Sequence, residues 1–186
     1  MSAKVEPLLT VADLEAMPDD GNRYELFEGE LFVSRAPGLT HQRTLGNLHA
    51  LLRAYLDQNP LGEVVLTPGV ILDDSNSAIP DAVLLTNQQV SNVGAGERIT
   101  EAPALIVEIV SPGKEHARRD REVKRQVYGR HGAKEYWIAD PEKRALEICR
   151  LEGRTLKLSA TLTGADEITT PILPGFSCRA EQIFVK

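Results

Sequence analysis

The chain has 186 residues, 42% of them apolar and 26% charged, with a net charge of −6. That length suits one domain spanning 1–186, and that mix excludes a disordered or fibrous chain. The acidic balance speaks against a protein that coats itself with nucleic acid, though not against an enzyme with a local basic track. No run reaches the ~18 apolar residues of a membrane helix, and the first residues hold no apolar signal core, so no membrane contact and a cytoplasmic location are expected. Cys149 and Cys178 lie far apart, without His or Cys at zinc-like spacing, and are read as free thiols.

In chain order, Thr10 followed by Asp13 makes an N-cap pattern for a short helix that Pro18 ends. Residues 24–27 and 31–33 read as strands joined by a turn at Glu28-Gly29. Thr40 can cap a helix over 41–58, whose stripe of Leu45, Leu48, Leu52 and Tyr55 has helical spacing. Strands follow at 63–67 and 69–72, then a polar loop at 73–78 and a strand at 82–85. Residues 104–110 form the most apolar strand, central in a sheet. A charged helix is expected over 115–130, stopped by Gly132. A strand at 136–139 and a hairpin of 146–151 and 155–160 complete the order. The result is a mixed α/β sheet with helices packed on it.

Glu108 is the strongest chemical signal. It stands among Ala, Leu, Ile and Val, where an unpaired ionised carboxylate would cost several kcal/mol. It therefore needs a partner, either a buried Arg or Lys or a metal ion. Asp81 follows Pro80 at a second strand margin. Two carboxylates converging from adjacent strands make the oxygen-rich site that Mg²⁺ or Mn²⁺ prefers. Without metal, burial and mutual repulsion are expected to raise the acid range of this pair. Between 114 and 134 there are 8 Lys/Arg against 3 Asp/Glu, a reversal of sign that reads as a solvated face or as a phosphate-following track.

Several motifs occur in order: Arg23-Tyr-Glu-Leu-Phe-Glu-Gly-Glu30, His41-Gln42, Ile79-Pro-Asp81, Val107-Glu-Ile-Val-Ser-Pro112, then Asp120, Lys124 and Tyr128, and Glu135-Tyr-Trp-Ile-Ala-Asp-Pro141. Together they resemble the Uma2 family, also called DUF820, over nearly the whole chain. The resemblance implies a restriction-endonuclease-like PD-(D/E)XK core with an N-terminal hairpin extension, and a Mg²⁺-dependent endonuclease activity. It implies Asp81 and Glu108 as the metal-binding acids, with Glu25 as the third. The superfamily motif places a Lys two residues after the second acid, on the same strand face. Here that position is Val110. The resemblance supplies Lys124 instead, and Asp120, Lys124 and Tyr128 share one helical face. An ordinary Asp120–Lys124 surface pair is the competing reading.

Glu30 is a second candidate for the third acid. His41 reads as a general base, a phosphate contact or simply a capping or surface residue. Ser111 reads as a strand end, and Tyr136 and Trp137 as core or an interface. The expected partners are a nucleic acid, DNA first, and a second copy of the chain in a homodimer. The alternative function is a non-catalytic nuclease-fold module that binds nucleic acid or mediates dimer contacts.

Overall fold

A computed structural model describes residues 8–93, 98–111 and 119–185, without the side chains of Arg119 and Asp120. Thr10 caps α1 (Val11–Glu15) in a reciprocal box with Asp13. Strands β1 (Arg23–Phe27) and β2 (Glu30–Ser34) form a two-residue hairpin. Its turn residues Glu28 and Gly29 have φ of 55° and 77°, the left-handed pair that matches strand twist. Helix α2 (Leu39–Leu56) begins two residues before the predicted start and buries Leu45, Leu48, Leu52 and Leu56.

Next come β3 (Gly62–Leu66), β4 (Val70–Asp73), β5 (Asn76–Ala78), β6 (Ala82–Thr86) and α3 (Asn87–Val93). After β7 (Leu105–Ile109), a π-helical turn over Arg119–Lys124 runs into α4 (Arg125–Arg130). The chain ends with β8 (Glu135–Asp140), β9 (Ala145–Glu152), β10 (Thr155–Thr163), β11 (Glu167–Thr169), β12 (Ser177–Arg179) and α5 (Ala180–Ile183). The main sheet has six strands in the order β10-β9-β8-β7-β6-β3, and only β7 and β8 run parallel. The N-terminal hairpin joins β5 and β4 in a second sheet, β2-β1-β5-β4. The expected mixed sheet flanked by helices is thus observed.

The loop expected at 73–78 is a correction. Asn76–Ala78 is a strand between β1 and β4, and it is buried. Its polarity is satisfied internally: the Glu28 amide donates to Asn76 Oδ1 at 3.0 Å, and Asn76 Nδ2 donates to Asp73 Oδ1 at 2.8 Å. Composition misreads such a strand because paired polar groups bury at little cost.

Strand β7 is central and wholly buried, as its apolar run implied. Alternation sends Leu105, Val107 and Ile109 to one face, where α2 and Trp137 pack. Ile106 and Val110 meet Val127, Tyr128, Tyr136 and Phe27 on the other. Tyr136 and Trp137 are 0% exposed, so they are core and offer no surface for the expected dimer. Both cysteines are free and buried, and burial pushes the Cys178 thiol up to about 11.

Candidate active site

The β6–β7 register pairs Ala82 with Val107, so Asp81 stands opposite Glu108, one step beyond the last paired residues of these strands. Both are nearly buried, at 4% exposure each. A hydrogen bond from the Ile109 amide to Asp81 Oδ2, 2.8 Å long, fixes the acid to the neighbouring strand. Pro80, with no amide to donate and a fixed φ, leads the chain into this position.

Glu108 has found a cation. Lys124 Nζ donates to Glu108 Oε1 at 2.8 Å and to Glu25 Oε1 at 3.1 Å. Lys124 is only 2% exposed, and its ammonium lies 5.5 Å from the centre of the Phe27 ring. Tyr128, one α-turn further on, donates its hydroxyl to Glu108 Oε1 at 3.0 Å. Burial first, then the charges of Glu108 and Glu25, hold the Tyr128 phenol well above its ordinary range, so it remains a donor. Lys124 ends the π-helical turn and Tyr128 lies in α4, so the junction between the two helical forms delivers both groups. Such π-helical interruptions frequently occur at functional sites.

Glu25 arrives from β1 in the second sheet. Its Oε1 also accepts from the Ile79 amide at 3.1 Å, which ties β1 to the approach to Asp81. Glu30 is exposed on β2 and does not line this cavity.

His41 corrects the surface or capping expectation. It is 7% exposed, and its Nε2 lies 3.0 Å from Asp81 Oδ2. Arg23 Nη1 approaches Asp81 Oδ1 at 3.5 Å. Burial works to raise the Asp81 carboxyl, but the hydrogen bond and charge of His41, the Ile109 amide and the Lys124 charge together hold it below its ordinary range. The raised range expected of the Asp81–Glu108 pair therefore fails for Asp81, because the fold supplies donors that the sequence does not order in space.

Arg23, Glu25, His41, Asp81, Glu108 and Lys124 all line one cavity of about 440 Å³, with Ser111 also at its wall. Val110 is buried in the core beneath, where a motif lysine would have stood, and Lys124 reaches Glu108 from another element. The side chain of Asp120 lies outside the described residues, as does the 112–118 part of the basic segment. In the described part, Arg121 is held by Glu147 and Asp140, Lys124 by Glu25 and Glu108, and Arg130 by Glu28. These cations serve the fold and the site, which argues against a continuous free track along this helix.

Among the described residues, no three His, Cys, Asp or Glu groups gather closely enough to hold a metal by themselves. The donors nevertheless fit a hard divalent cation. Asp81 and Glu108 offer opposed carboxylates, with Glu25 in the same cavity. Mg²⁺ needs only one or two carboxylates when water and substrate phosphate complete its shell. Sequence reasoning missed Arg23, the Ile79 and Ile109 amides and the burial of His41. The quoted motifs contain Arg23 and His41, but nothing in local spacing reveals their common target.

A mixed sheet with a buried acid on its central strand, a second acid opposite and a lysine delivered from a neighbouring helix defines a restriction-endonuclease-like fold. The chain belongs to the Uma2 family, whose description is "Putative restriction endonuclease" and whose model matches residues 11–181. Among solved structures, it is similar to a protein from Anabaena variabilis ATCC 29413 described as "a putative nuclease belonging to DUF820". That similarity has a TM-score of 0.78 and 15% sequence identity, and covers 95% of this chain and 97% of the other. No curated protein matches the chain. Among the described residues, no helix is long and apolar enough to cross a membrane.

Proposed function

We propose that the protein is a metal-dependent endonuclease that hydrolyses phosphodiester bonds of nucleic acid, DNA first. The observation that carries this reading is the juxtaposition of Asp81, Glu108 and Lys124 in one cavity. Asp81 and Glu108, with Glu25, are the residues that would hold Mg²⁺ or Mn²⁺. When bound, the cation lowers the pKa of water and offsets charge on phosphate oxygens.

The rest of the chemistry belongs to the chain. Tyr128 and Lys124 fix the Glu108 carboxylate from one side, so its orientation is set before substrate arrives. His41 and the Ile109 amide do the same for Asp81. Lys124 would orient the attacking water or donate to the scissile phosphate, a reading supported by its contact with Glu108 in the cavity. Arg23, partly exposed at the cavity, is placed to neutralise an incoming phosphodiester.

The test is Mn²⁺ titration calorimetry beside cleavage of plasmid and single-stranded DNA. Wild type should bind Mn²⁺ and cut, and Asp81→Asn should lose both. Equal Mn²⁺ affinity in Asp81→Asn would refute the site. Nucleic-acid binding without cleavage would favour the non-catalytic module, a reading supported by the absence of a three-ligand cluster among the described residues.

A further inference from the structure

The helical segment that carries Lys124 changes form at that residue. Arg119–Lys124 is π-helical and Arg125–Arg130 is α-helical. The run Arg119-Asp-Arg-Glu-Val-Lys124 contains neither Gly nor Pro, so the local sequence gives no reason for the rarer, wider turn. One extra residue in a turn offsets whatever follows by about 100° of helical rotation. The form of this turn therefore decides which way Lys124 points.

Tertiary contacts supply the reason. The strand register places Glu108 beside Ile138, and Ile138 beside Glu147. Residues paired in this way share one face of a sheet, so the two acids end a row with Ile138 between them. Their backbones stand two strand spacings apart, about 9–10 Å. Asp140, two residues beyond Ile138, shares that face. The helical segment reaches both ends of the row. Lys124 Nζ donates to Glu108 Oε1 at 2.8 Å, while Arg121 Nε donates to Glu147 Oε1 at 2.9 Å and Arg121 Nη2 to Asp140 Oδ2 at 2.9 Å. Asp140 is itself a fixed anchor: it is buried, and its Oδ1 accepts from the Lys143 amide at 3.1 Å. On the other side of Lys124, Val127 and Tyr128 are buried in the core.

We propose that Arg121 is a positioning residue: its paired contacts with Asp140 and Glu147 hold the turn in its π-helical form, and that form aims Lys124 at Glu108 and Glu25. A guanidinium suits the task because its planar fork engages two carboxylates in a fixed geometry, which a single ammonium cannot do. The chemical consequence rests on the nuclease reading of Lys124, but the positioning does not. An Arg121 that served stability alone would lower the melting temperature of its variants and leave Lys124 in place.

The test is acylation of lysine amines by acetic anhydride, followed residue by residue with peptide mass spectrometry in EDTA. Lys124 is buried in the wild type, and the exposed Lys134 and Lys157 serve as internal references. In Arg121→Met, Lys124 should be acylated about tenfold faster or more, with the references unchanged, because the turn opens locally. Glu147→Gln, a milder change at a partly exposed partner, should shift Lys124 in the same direction and decides the matter if Arg121→Met does not fold. Leu52→Ala destabilises the opposite face of the main sheet and should leave Lys124 protected. If plasmid DNA is cut, Arg121→Met should lower kcat about 10²-fold with KM unchanged, as expected for a displaced catalytic group. Lys124 acylated at the wild-type rate in both variants overturns the positioning, and so does equal acceleration in Leu52→Ala. Acceleration confined to the Arg121 and Glu147 variants, in a protein whose wild type cuts nothing, leaves the positioning standing and removes the nuclease.

Discussion

Replacing Lys124 by Met keeps length and apolar bulk and removes one buried ammonium. Glu25 and Glu108, 3% and 4% exposed, then lose the cation that contacts both. Breaking a buried ion pair by deleting one partner costs about 3–5 kcal/mol. For a chain of this size each kcal/mol moves the melting temperature by about 2–4 °C, so a loss of roughly 6–20 °C is expected in EDTA at neutral pH. A divalent ion can replace the missing charge between the same carboxylates. Mg²⁺ at about a hundredfold its dissociation constant returns roughly 2.7 kcal/mol. In the wild type Lys124 opposes that ion, so the Mg²⁺-induced rise should be larger in Lys124→Met than in the wild type. Calorimetric melts of both proteins, in EDTA and in Mg²⁺, measure all four quantities. A variant melting within about 2 °C of wild type in EDTA would refute the reasoning, because the acids would then have adequate partners without Lys124. A Mg²⁺ response no larger than that of wild type would separate the cation's seat from these two acids.

Lys124→Ala should lower cleavage by roughly 10²-fold or more, the scale of one lost electrostatic donor, read from initial rates on plasmid DNA. Tyr128→Phe deletes a hydrogen bond to a charged group and should cost about 1.5–3 kcal/mol in denaturant titration, with Glu108 still held by Lys124. The Asp81 carboxyl lies below its unfolded value near 4, so it stabilises the fold above that pH and the contribution is lost as pH falls through the depressed folded value. Asp81→Asn should therefore melt lower than wild type at pH 7, with the gap closing below about pH 4; a gap constant with pH would reject the assignment. Gly129→Ala would bring a Cβ to 2.9 Å from the Leu156 amide nitrogen; it should cost about 1–3 kcal/mol without changing Mn²⁺ affinity. The homodimer, now argued only from paired sites serving paired strands, is checked by light scattering at micromolar concentration, where a monomeric mass removes it.

Much of the frame was legible because period and burial agree locally. The apolar run of β7 announced a central strand, and the acid within it announced a partner. The Leu stripe of α2 and the two-residue turn at Glu28-Gly29 were visible for the same reason. Lys124 and Tyr128, four residues apart, advertised a shared helix face, though not which acid they would meet. What escaped is held by distant contacts. Strand β5 looks like a polar loop until Asp73 and the Glu28 amide satisfy Asn76. His41 looks like a surface residue until Asp81 stands beside it. The short α3, β11, β12 and α5 carry too few residues for periodicity to show, and tertiary packing forms them.

The salt bridge between β1 and the π-helical turn joins residues 99 positions apart in the chain. Arg23 reaches across 58 positions to Asp81, whereas Tyr128 and Glu108 are separated by 20. Closing long loops costs chain entropy before any contact repays it, so the long-range pairs are expected to form late during folding. The Glu108–Tyr128 half of the cavity can assemble with β7 and α4, but Glu25 joins only when the small sheet docks. On the proposed role of Glu25, catalytic competence would then appear after most secondary structure and most burial of Trp137. A newly made chain would spend its early compact life without a cutting centre, and an opening of the N-terminal hairpin would disarm the folded enzyme before the main sheet came apart.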